Sequence, residues 1–318
     1  MSVPHPRART DLPRPDGALP LAGSAHVWFE PGVGAAPGLS QPRLVLPDLP
    51  TDRPLVMGII NVTPDSFSDG GTLRNLDETL RRVRAMVDAG ADILDIGGES
   101  TRPGAAEVPV ADEIARTIPV IAALRAAGIT TPVSIDTRKA RVAEAALEAG
   151  AQIINDVSAL TWDPDLARLA AEARVPVCLM HAQGTPQTMQ ADPRYDDVLA
   201  EVYGFLAQRM DVAVAAGIDP ARLIVDPGLG FGKTLTHNLT LLQGLSRFHG
   251  LGAPILLGAS RKRFIGTLSG VEMAADRMPG SLAVALMAAG QGAQILRVHD
   301  VGATVQALAL WRALTVVA

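Results

Sequence analysis

The sequence predicts an α/β protein built as a (β/α)₈ barrel, the TIM-barrel fold, and three observations favour this class. From residue 55 onward, apolar strand-like runs alternate eight times with amphipathic helical stretches. These units span about 260 residues, the usual size of such a barrel. Polar side chains collect where the strands end, as expected when active groups lie at the carboxyl ends of barrel strands. A doubly wound open sheet is the alternative architecture.

Each unit begins with a short apolar run that predicts a parallel strand buried on both faces. The predicted strands are Leu55–Asn61, Ala91–Ile96, Thr131–Asp136, Ala151–Asp156, Val175–His181, Arg222–Asp226, Pro254–Gly258 and Ala293–His299. Between them, Leu, Ala and Val at three- and four-residue spacing predict helices, among them Asn75–Ala89, Val110–Ala127, Arg138–Ala149, Tyr195–Ala216 and Ser281–Gly290.

Residues 1–42 form a Pro-rich extension ahead of the barrel domain, which we place at residues 43–318. Residues 1–54 hold 11 of the 24 prolines and show no sustained hydrophobic period. The extension is therefore expected to be disordered or loosely packed. Arg43–Leu46 and Leu55–Met57 flank a turn rich in Pro and Asp, which predicts a short hairpin plugging one end of the barrel.

The composition argues against several classes of partner. A net charge of −5 and an aromatic share of 3% do not suit a protein that binds nucleic acid. The longest uncharged window, Met278 to Leu296, is interrupted by Pro and Gly and does not predict a membrane span. The single cysteine, Cys178, lies in an apolar run, so no disulfide framework exists and a cytoplasmic protein is expected.

The first predicted strand ends at Asn61 and runs into a polar loop, Thr63 to Asp69. Alone, this loop is equally well interpreted as an ordinary connection with a helix cap. The second strand leads into the segment Asp95 to Gly104, whose Gly, Ser and Thr residues offer backbone and hydroxyl donors beside Arg102. Such a segment suits an anion.

The third strand ends at Asp136, the fourth at Asn155-Asp156 and the fifth in Leu179-Met180-His181. Asp136 alone could be a helix cap, because a predicted helix follows it. Met180 could fill the core, but a thioether at the mouth of a barrel is also a flat surface for a ring.

The sixth strand leads into Asp226-Pro-Gly-Leu-Gly-Phe-Gly-Lys-Thr234. A Walker phosphate loop would need Gly where Pro227 stands, and a dinucleotide fingerprint would need its third Gly one residue after Gly232. We interpret the glycines as allowing close approach of a flat ligand, with Phe231 offering an aromatic face.

The seventh and eighth strands end in cationic segments. Arg261, Lys262 and Arg263 follow one strand, and the period of two places Arg297 and His299 on the same side of the other. Either segment alone would be interpreted as surface charge. Together, facing Asn61 around the ring, they favour an anion site.

The motifs together resemble those of the dihydropteroate synthase family. They are MGIINVTPDSFSDGG, DIGGESTRPGA, SIDT, IIND, CLMHAQG, DPGLGFGK, GASRKRFIG and ILRVHD, in order from residue 55 onward. The resemblance implies a transferase of folate biosynthesis, usually a homodimer, that joins 6-hydroxymethyl-7,8-dihydropterin diphosphate to p-aminobenzoate with Mg²⁺ assisting. Leu229 and Ala182 depart from the commoner residues of the family at their positions.

The resemblance also implies roles for individual residues. Pterin binding is assigned to Asp136, Asn155, Met180, Asp226, Phe231, Lys262 and Arg297. The p-aminobenzoate pocket is assigned to Thr63, Pro64, Ser66, Phe67, Thr101, Arg102, Pro103, Ser260 and Arg263. The diphosphate is assigned to Asn61, Thr101, Arg102, Arg297 and His299, and the metal to Asn61. Asn61, Arg102, Lys262, Arg297 and His299 form the catalytic set.

The expected chemistry is dissociative, because the electron-rich ring can delocalise a cationic methylene and the protein need mainly stabilise the departing pyrophosphate. Sulfonamides, which imitate p-aminobenzoate, are expected to compete with it. Two alternatives are a catalytically silent pterin-binding homologue and a pterin-dependent methyltransferase barrel. The methyltransferase would not need the TPDSFSD and ESTRPG loops, and intact loops argue against the silent homologue.

Overall fold

The computed structural model describes residues 6–11, 14, 16–21, 24, 26–30, 39, 43–62 and 72–315, with the backbone alone for residues 72–75. Within these residues the strands are β1 (Ala8–Arg9), β2 (Leu19–Pro20), β3 (Trp28–Phe29), β4 (Leu55–Asn61), β5 (Ile93–Gly97), β6 (Val133–Asp136), β7 (Ile153–Asp156), β8 (Val177–Met180), β9 (Leu223–Asp226), β10 (Leu256–Leu257) and β11 (Ile295–Val298).

The α-helices of the described chain lie between and after the barrel strands. They are α1 (Thr72–Asp88), α2 (Val110–Ala126), α3 (Ala140–Glu148), α4 (Pro164–Ala173), α5 (Val198–Ala215), α6 (Leu235–Gln243), α7 (Arg263–Ser269), α8 (Met278–Gly290) and α9 (Val301–Thr315). Short 3₁₀ turns lie at Pro220–Arg222, Leu245–Leu251 and Ala274–Arg277.

Strands β4 to β11 form a closed parallel barrel. Their order is β10-β11-β4-β5-β6-β7-β8-β9, so the last strand of the chain pairs with the first strand of the barrel. A parallel bridge between Val225 and Ile255 joins β9 to β10 and completes the ring. The predicted (β/α)₈ barrel is confirmed, and the open sheet is excluded because its edge strands would not pair.

Several strands begin one or two residues later than the sequence predicts. Pro132, Pro176 and Pro254 lie in these lead-in segments, and proline has no backbone N–H to donate to a neighbouring strand. Helix α5 also begins later than predicted, at Val198 rather than near Tyr195. Asp197 caps it, because its carboxylate accepts from the backbone N–H groups of Leu199 and Ala200 at 3.0 and 3.1 Å.

The predicted hairpin before the barrel does not form. Leu55–Asn61 is the strand β4 of the barrel itself, and residues 43–54 contain turns and bends but no strand. The segment still covers the amino-terminal end of the barrel. Val45 is buried in the same apolar cluster as Leu55 and Met57, with Leu46 and Leu49 packed against it. A loop therefore covers this end of the barrel, where a hairpin was expected.

Part of the extension packs on the barrel, which differs from the loose segment expected from its composition. Strands β1, β3 and β2 form a small antiparallel sheet. Phe29 is 1% exposed and meets the buried His249 ring edge-on at 5.1 Å. The backbone N–H of Ala8 donates to Ser246 Oγ at 3.3 Å. Buried apolar side chains attach this part of the extension to the barrel, although its sequence shows no regular hydrophobic period.

Candidate active site

The barrel interior changes from apolar to polar along the direction of the strands. An apolar cluster near the strand starts contains Ile93, Ile153, Cys178, Ile224 and Ile295. Since side chains two positions apart share one face of a strand, the next inward positions are Asp95, Asn155, Met180, Asp226 and Arg297. The strand period therefore brings the polar residues into one layer at the mouth of the barrel.

Arg297 holds the centre of this polar layer. Its Nε donates to Asp95 Oδ2 and its Nη2 donates to Asp136 Oδ2, both at 2.6 Å. Asn155 Nδ2 donates to the same oxygen of Asp95 at 3.2 Å. One guanidinium thus joins β5 and β6 to β11, and Asn155 of β7 joins the network through Asp95. These bonds fix the positions of the groups predicted to bind a pterin.

Burial changes the proton affinity of the carboxylates in this layer. It raises the pKa of Asp136 to about 7, with Arg297 opposing the shift and the charge of Asp95 adding to it. Burial also raises the pKa of Asp226, and the charge of Lys262 opposes that rise. In both cases a neighbouring cation favours the charged carboxylate and so opposes the effect of burial.

Asp226 and Lys262 lie near enough at the mouth for each charge to act on the pKa of the other. Burial lowers the pKa of Lys262 to about 8, whereas the carboxylate of Asp226 acts in the opposite direction. The Lys262 ammonium donates to the carbonyl oxygen of Leu229 and lies 4.7 Å from the centre of the Phe231 ring. A cation, a carboxylate and an aromatic face are therefore adjacent, as recognition of a polar ring requires.

The loops after β8 and β9 are in direct contact. A Cβ added at Gly228 would lie 1.8 Å from the carbonyl oxygen of His181 and 3.2 Å from Met180 Cγ, so only glycine fits between them. Lys233 Nζ lies 2.9 Å from His181 Nδ1 and donates to the Phe231 carbonyl oxygen at 3.1 Å. This packing places Met180, at the end of β8, and Phe231, in the loop after β9, on neighbouring segments; these are the two predicted ring surfaces.

His299 lies at the same end of the barrel, after β11. Its Nδ1 is 3.0 Å from Ser260 Oγ, and its backbone N–H donates to the same hydroxyl at 3.2 Å. Burial lowers the pKa of His299 to about 4, and the cations Arg261 and Arg297 add to the effect. The imidazole is therefore neutral near neutral pH and meets an anion as a hydrogen-bond donor rather than as a cation.

The loop after β5 supplies more exposed groups. Arg102 and Pro103 are exposed and Thr101 is half-buried, while the loop contacts the loop after β8 through a hydrogen bond from the Gly104 N–H to the Pro186 carbonyl at 2.8 Å. Arg102 lies close enough for its charge to contribute to lowering the pKa of His299, after burial and the charges of Arg261 and Arg297. The loop therefore faces the His299 side of the mouth.

Known proteins resemble this chain over most of its length. Residues 57–299 match the family model described as Pterin binding enzyme. The dihydropteroate synthase of Escherichia coli strain K12 is 50% identical over 260 residues, which are 82% of this chain and 91% of that protein. The chain belongs to the dihydropteroate synthase family.

Solved structures of the family share the fold. The Xanthomonas albilineans dihydropteroate synthase with 4-aminobenzoic acid has 52% identity and a TM-score of 0.79, over 84% of this chain and 95% of that chain. The same enzyme in complex with 7,8-dihydropteroate has 49% identity and a TM-score of 0.77, over 85% and 97%. The enzyme class predicted from the sequence is confirmed.

Most residues that the dihydropteroate synthase resemblance implies gather at one end of the barrel. Asp136, Asn155, Met180, Asp226 and Arg297 are inside the mouth. Asn61 lies exposed at the end of β4, where it pairs with Gly97 of β5. Arg263 is exposed as the first residue of α7. Thr63, Pro64, Ser66 and Phe67 lie outside the described residues, so their assignment stays a prediction.

Asp95 is the site residue that sequence reasoning missed. It is fully buried, accepts from both Arg297 and Asn155, and its Oδ1 has no hydrogen-bond partner among the described residues. The available signal was its position inside the apolar run ILDIG, where a carboxylate is costly unless it is paired. Asp95 lies in the layer just below the strand ends, so a rule based on strand ends does not assign it.

Over the described part of the chain, the helices are too short or too polar to cross a membrane.

Proposed function

We propose that this member of the dihydropteroate synthase family joins 6-hydroxymethyl-7,8-dihydropterin diphosphate to p-aminobenzoate, forming 7,8-dihydropteroate and pyrophosphate. One observation carries the proposal. The buried carboxylates of Asp136 and Asp226 share the barrel mouth with Lys262, Arg297 and the pair of His299 and Ser260. Acceptors for a pterin edge and donors for an anion are thereby combined in one site.

The pterin end of the substrate is recognised by complementary polarity. An aminopyrimidine edge presents adjacent N–H donors, and a carboxylate such as Asp226 offers two acceptors to them. The backbone N–H of Gly228 donates to Asp226 Oδ1 at 2.7 Å, which orients the carboxylate before any ligand binds. Lys262 then faces the carbonyl side of the ring, and Phe231 and Met180 cover its faces.

The bond that breaks joins the pterin methylene to the diphosphate oxygen. That oxygen leaves with the bonding electron pair, and the ring delocalises the resulting positive charge. The amine nitrogen of p-aminobenzoate then supplies the electron pair of the new C–N bond and afterwards loses one proton. Arg297 and Arg102, with the neutral imidazole of His299, stabilise the departing anion through charge and hydrogen bonds. No side-chain nucleophile is required.

We propose that Mg²⁺ arrives with the diphosphate. Among the described residues, no group of three or more His, Cys, Asp or Glu side chains could hold a metal ion. A single amide oxygen at the mouth suits Mg²⁺, which commonly keeps several waters and binds through few protein oxygens and substrate phosphates. The Asn61 amide would be its protein ligand. When bound, the ion supplies positive charge to the pyrophosphate.

The purified chain should be incubated with the dihydropterin diphosphate, p-aminobenzoate and Mg²⁺. The expected result is formation of dihydropteroate and pyrophosphate in equal amounts, measured by mass spectrometry and a pyrophosphate assay. A normal secondary deuterium isotope effect at the methylene is expected, because that carbon becomes planar in a dissociative step. Binding of a pterin without turnover would instead support the silent homologue.

We also propose that the chain forms a homodimer through helices α7 to α9. These packed elements expose large apolar side chains at Leu268, Met273, Met287, Leu310 and Leu314. Leu310 and Leu314 lie four residues apart on α9 and so share one face, and a contiguous exposed apolar patch marks an interaction surface. Sedimentation should give twice the chain mass, and Leu310→Lys should favour the monomer.

The buried free thiol of Cys178 supports a cytoplasmic location.

A further inference from the structure

A cluster of buried charges lies behind the loop that follows β5. It contains Glu99 from that loop, Glu113 from α2, and Arg138 and Lys139 from the segment after β6. The side chains are 7%, 0%, 10% and 5% exposed, respectively. None of the four has been assigned to a substrate. We refer to these four residues as the Glu99 cluster.

The members of the Glu99 cluster balance one another. Arg138 Nη2 lies 3.2 Å from Glu99 Oε1, and Lys139 Nζ lies 3.3 Å from Glu99 Oε2. Lys139 Nζ also lies 2.7 Å from Glu113 Oε2. Two cations and two carboxylates therefore share one buried site. Removal of any single charge leaves a partner buried without compensation.

The cluster and the neighbouring Arg116 together hold the two ends of the loop that carries Thr101, Arg102 and Pro103. On the far side of the loop, Glu99 Oε1 accepts from the Val108 N–H at 2.9 Å, and Lys139 Nζ donates to the Val108 carbonyl at 2.5 Å. On the near side, Arg116 Nη1 donates to the Gly98 carbonyl at 3.0 Å.

Close packing reinforces the near end of the loop. A Cβ added at Gly98 would lie 2.8 Å from Thr117 Cγ2 and 3.0 Å from Glu113 Cγ, so the backbone rests directly on α2. Residues 102–104 at the tip are exposed. The loop thus has fixed ends and an exposed tip, and Glu99 is the side chain that reaches from the loop into the cluster.

The cluster is also continuous with the pterin side of the mouth. Arg138 and Lys139 follow Asp136 and Thr137 directly, and the Thr137 N–H donates to the Asn155 carbonyl at 3.1 Å. The Arg138 guanidinium lies 3.6 Å from the centre of the Trp162 ring, which fixes its plane. One short segment therefore connects a predicted pterin carboxylate to the ion pairs of the loop.

We infer that Glu99 is a positioning residue, which through Arg138 and Lys139 holds the Thr101–Pro103 tip at the distance where the second substrate binds. The inference rests on the proposed function, in which that tip contributes to the p-aminobenzoate pocket. Glu99 touches neither substrate. Its loss should weaken p-aminobenzoate binding much more than pterin binding, because Asp136 and Asp226 keep their own partners.

Glu99→Gln is the first test. A neutral amide cannot balance both cations, so the ends of the loop should loosen. The expected result is a KM for p-aminobenzoate raised roughly 10- to 100-fold, as for loss of a charged hydrogen bond, with the KM for dihydropterin diphosphate changed less than about 2-fold. Glu107→Gln is the matched control, because Glu107 is an exposed carboxylate in the same loop. It should leave both values unchanged.

Glu99→Asp keeps the charge and is the variant to use if the amide prevents folding. It should restore a large part of the p-aminobenzoate affinity, whereas a purely structural role would lower only the amount of folded enzyme. Equal changes in both KM values, or none in a folded Glu99→Gln enzyme, would overturn the positioning role. Absence of turnover in the unmodified chain would instead overturn the proposed function.

Discussion

At the scale of single residues, the mouth of the barrel depends on pairs of opposite charge that burial would otherwise disfavour. Arg297 contacts Asp95 and Asp136 through separate nitrogen atoms, so its plane is set by two strands at once. Asp226 and Lys262 are not in direct contact, but the charge of each opposes the effect of burial on the pKa of the other. A ligand with both donors and acceptors can replace water in such a site without leaving a charge unpaired.

Asp226→Asn should cripple pterin binding. The amide presents a donor to the donor edge of the pterin, and such a buried mismatch costs on the order of 1–3 kcal/mol or more. Binding of a pterin analogue should therefore weaken roughly tenfold to a few hundredfold, measured by titration calorimetry. Asp211→Asn, an exposed change on α5, serves as the control. Unchanged affinity in Asp226→Asn would remove this residue from the site.

Lys262 should give pterin binding an alkaline limit. The pKa of Lys262 is lowered by burial to about 8, so the ammonium becomes neutral as the pH rises through that value. Affinity for a neutral pterin analogue should then fall above about pH 8. For stability the sign is opposite: the native state binds fewer protons than the unfolded state between about 8 and 10.5, so the cost of burying this charge is relieved as the pH rises.

Titration calorimetry across this range provides the measurement. Lys262→Arg keeps a cation at every accessible pH and should abolish the alkaline fall even if it binds more weakly throughout. A wild-type affinity that stays constant from about pH 7 to pH 10 would show that the charge of Lys262 does not contribute.

At the scale of elements, strand period and strand ends were sufficient to predict much of the site. Asp136, Asn155 and Asp226 are the inward residues at the ends of their strands, as the period of two requires. Asp95 was missed because its strand continues to Gly97, which places the carboxylate one inward position below the end. Its role depends on Arg297, which is 202 residues away in sequence. Local pattern carries no information about such a pairing.

The order of substrate binding is a property of the loops. If the Ser100–Gly104 loop closes only when an anion neutralises Arg102, Arg297 and the His299 side of the mouth, p-aminobenzoate should bind second. A sulfonamide should likewise bind at least ~10-fold more tightly with pyrophosphate and Mg²⁺ present, because the first ligand has already selected the closed state. It should also compete with p-aminobenzoate.

Calorimetric titration of a sulfonamide with and without pyrophosphate and Mg²⁺ measures this coupling. Mg²⁺ alone is the control, and it should not increase the affinity because it adds no anion. Equal affinity with and without pyrophosphate would mean that the pocket exists before the anion binds.

At the scale of the whole molecule, the barrel was predictable from the repetition of its units, whereas the packing of the extension was not. Residues 1–42 contain no sustained hydrophobic period, yet Leu21, Val27, Phe29 and Leu39 form one buried cluster against Trp311. The cluster packs against Trp311 of α9, and Phe29 also meets the His249 ring. A sequence pattern within the extension cannot reveal complementarity to a surface assembled from distant segments.

The extension attaches to the end of the barrel opposite the mouth. Phe29 and Ala8 contact the 3₁₀ turn Leu245–Leu251, which precedes β10. His26 Nδ1 lies 3.1 Å from Thr315 Oγ1 at the end of α9. Segments that precede strands, and the carboxyl ends of helices, lie at the amino-terminal end of a barrel. The described part of the extension is therefore placed to affect stability rather than substrate binding.

Deletion of residues 1–40 should accordingly destabilise the enzyme and leave its kinetic constants nearly unchanged. Full burial of a Leu, Val or Phe side chain contributes about 1.5–3 kcal/mol, and this deletion removes several of them. A fall in Tm of at least ~5 °C is expected from calorimetry. Phe29→Ala in the full chain should give a smaller fall of the same kind, whereas Leu19→Ala, at an exposed position of β2, should give almost none. An unchanged Tm in the deletion would show that the cluster adds no net stability, and a large loss of kcat in the folded enzyme would show that the extension acts on the mouth of the barrel.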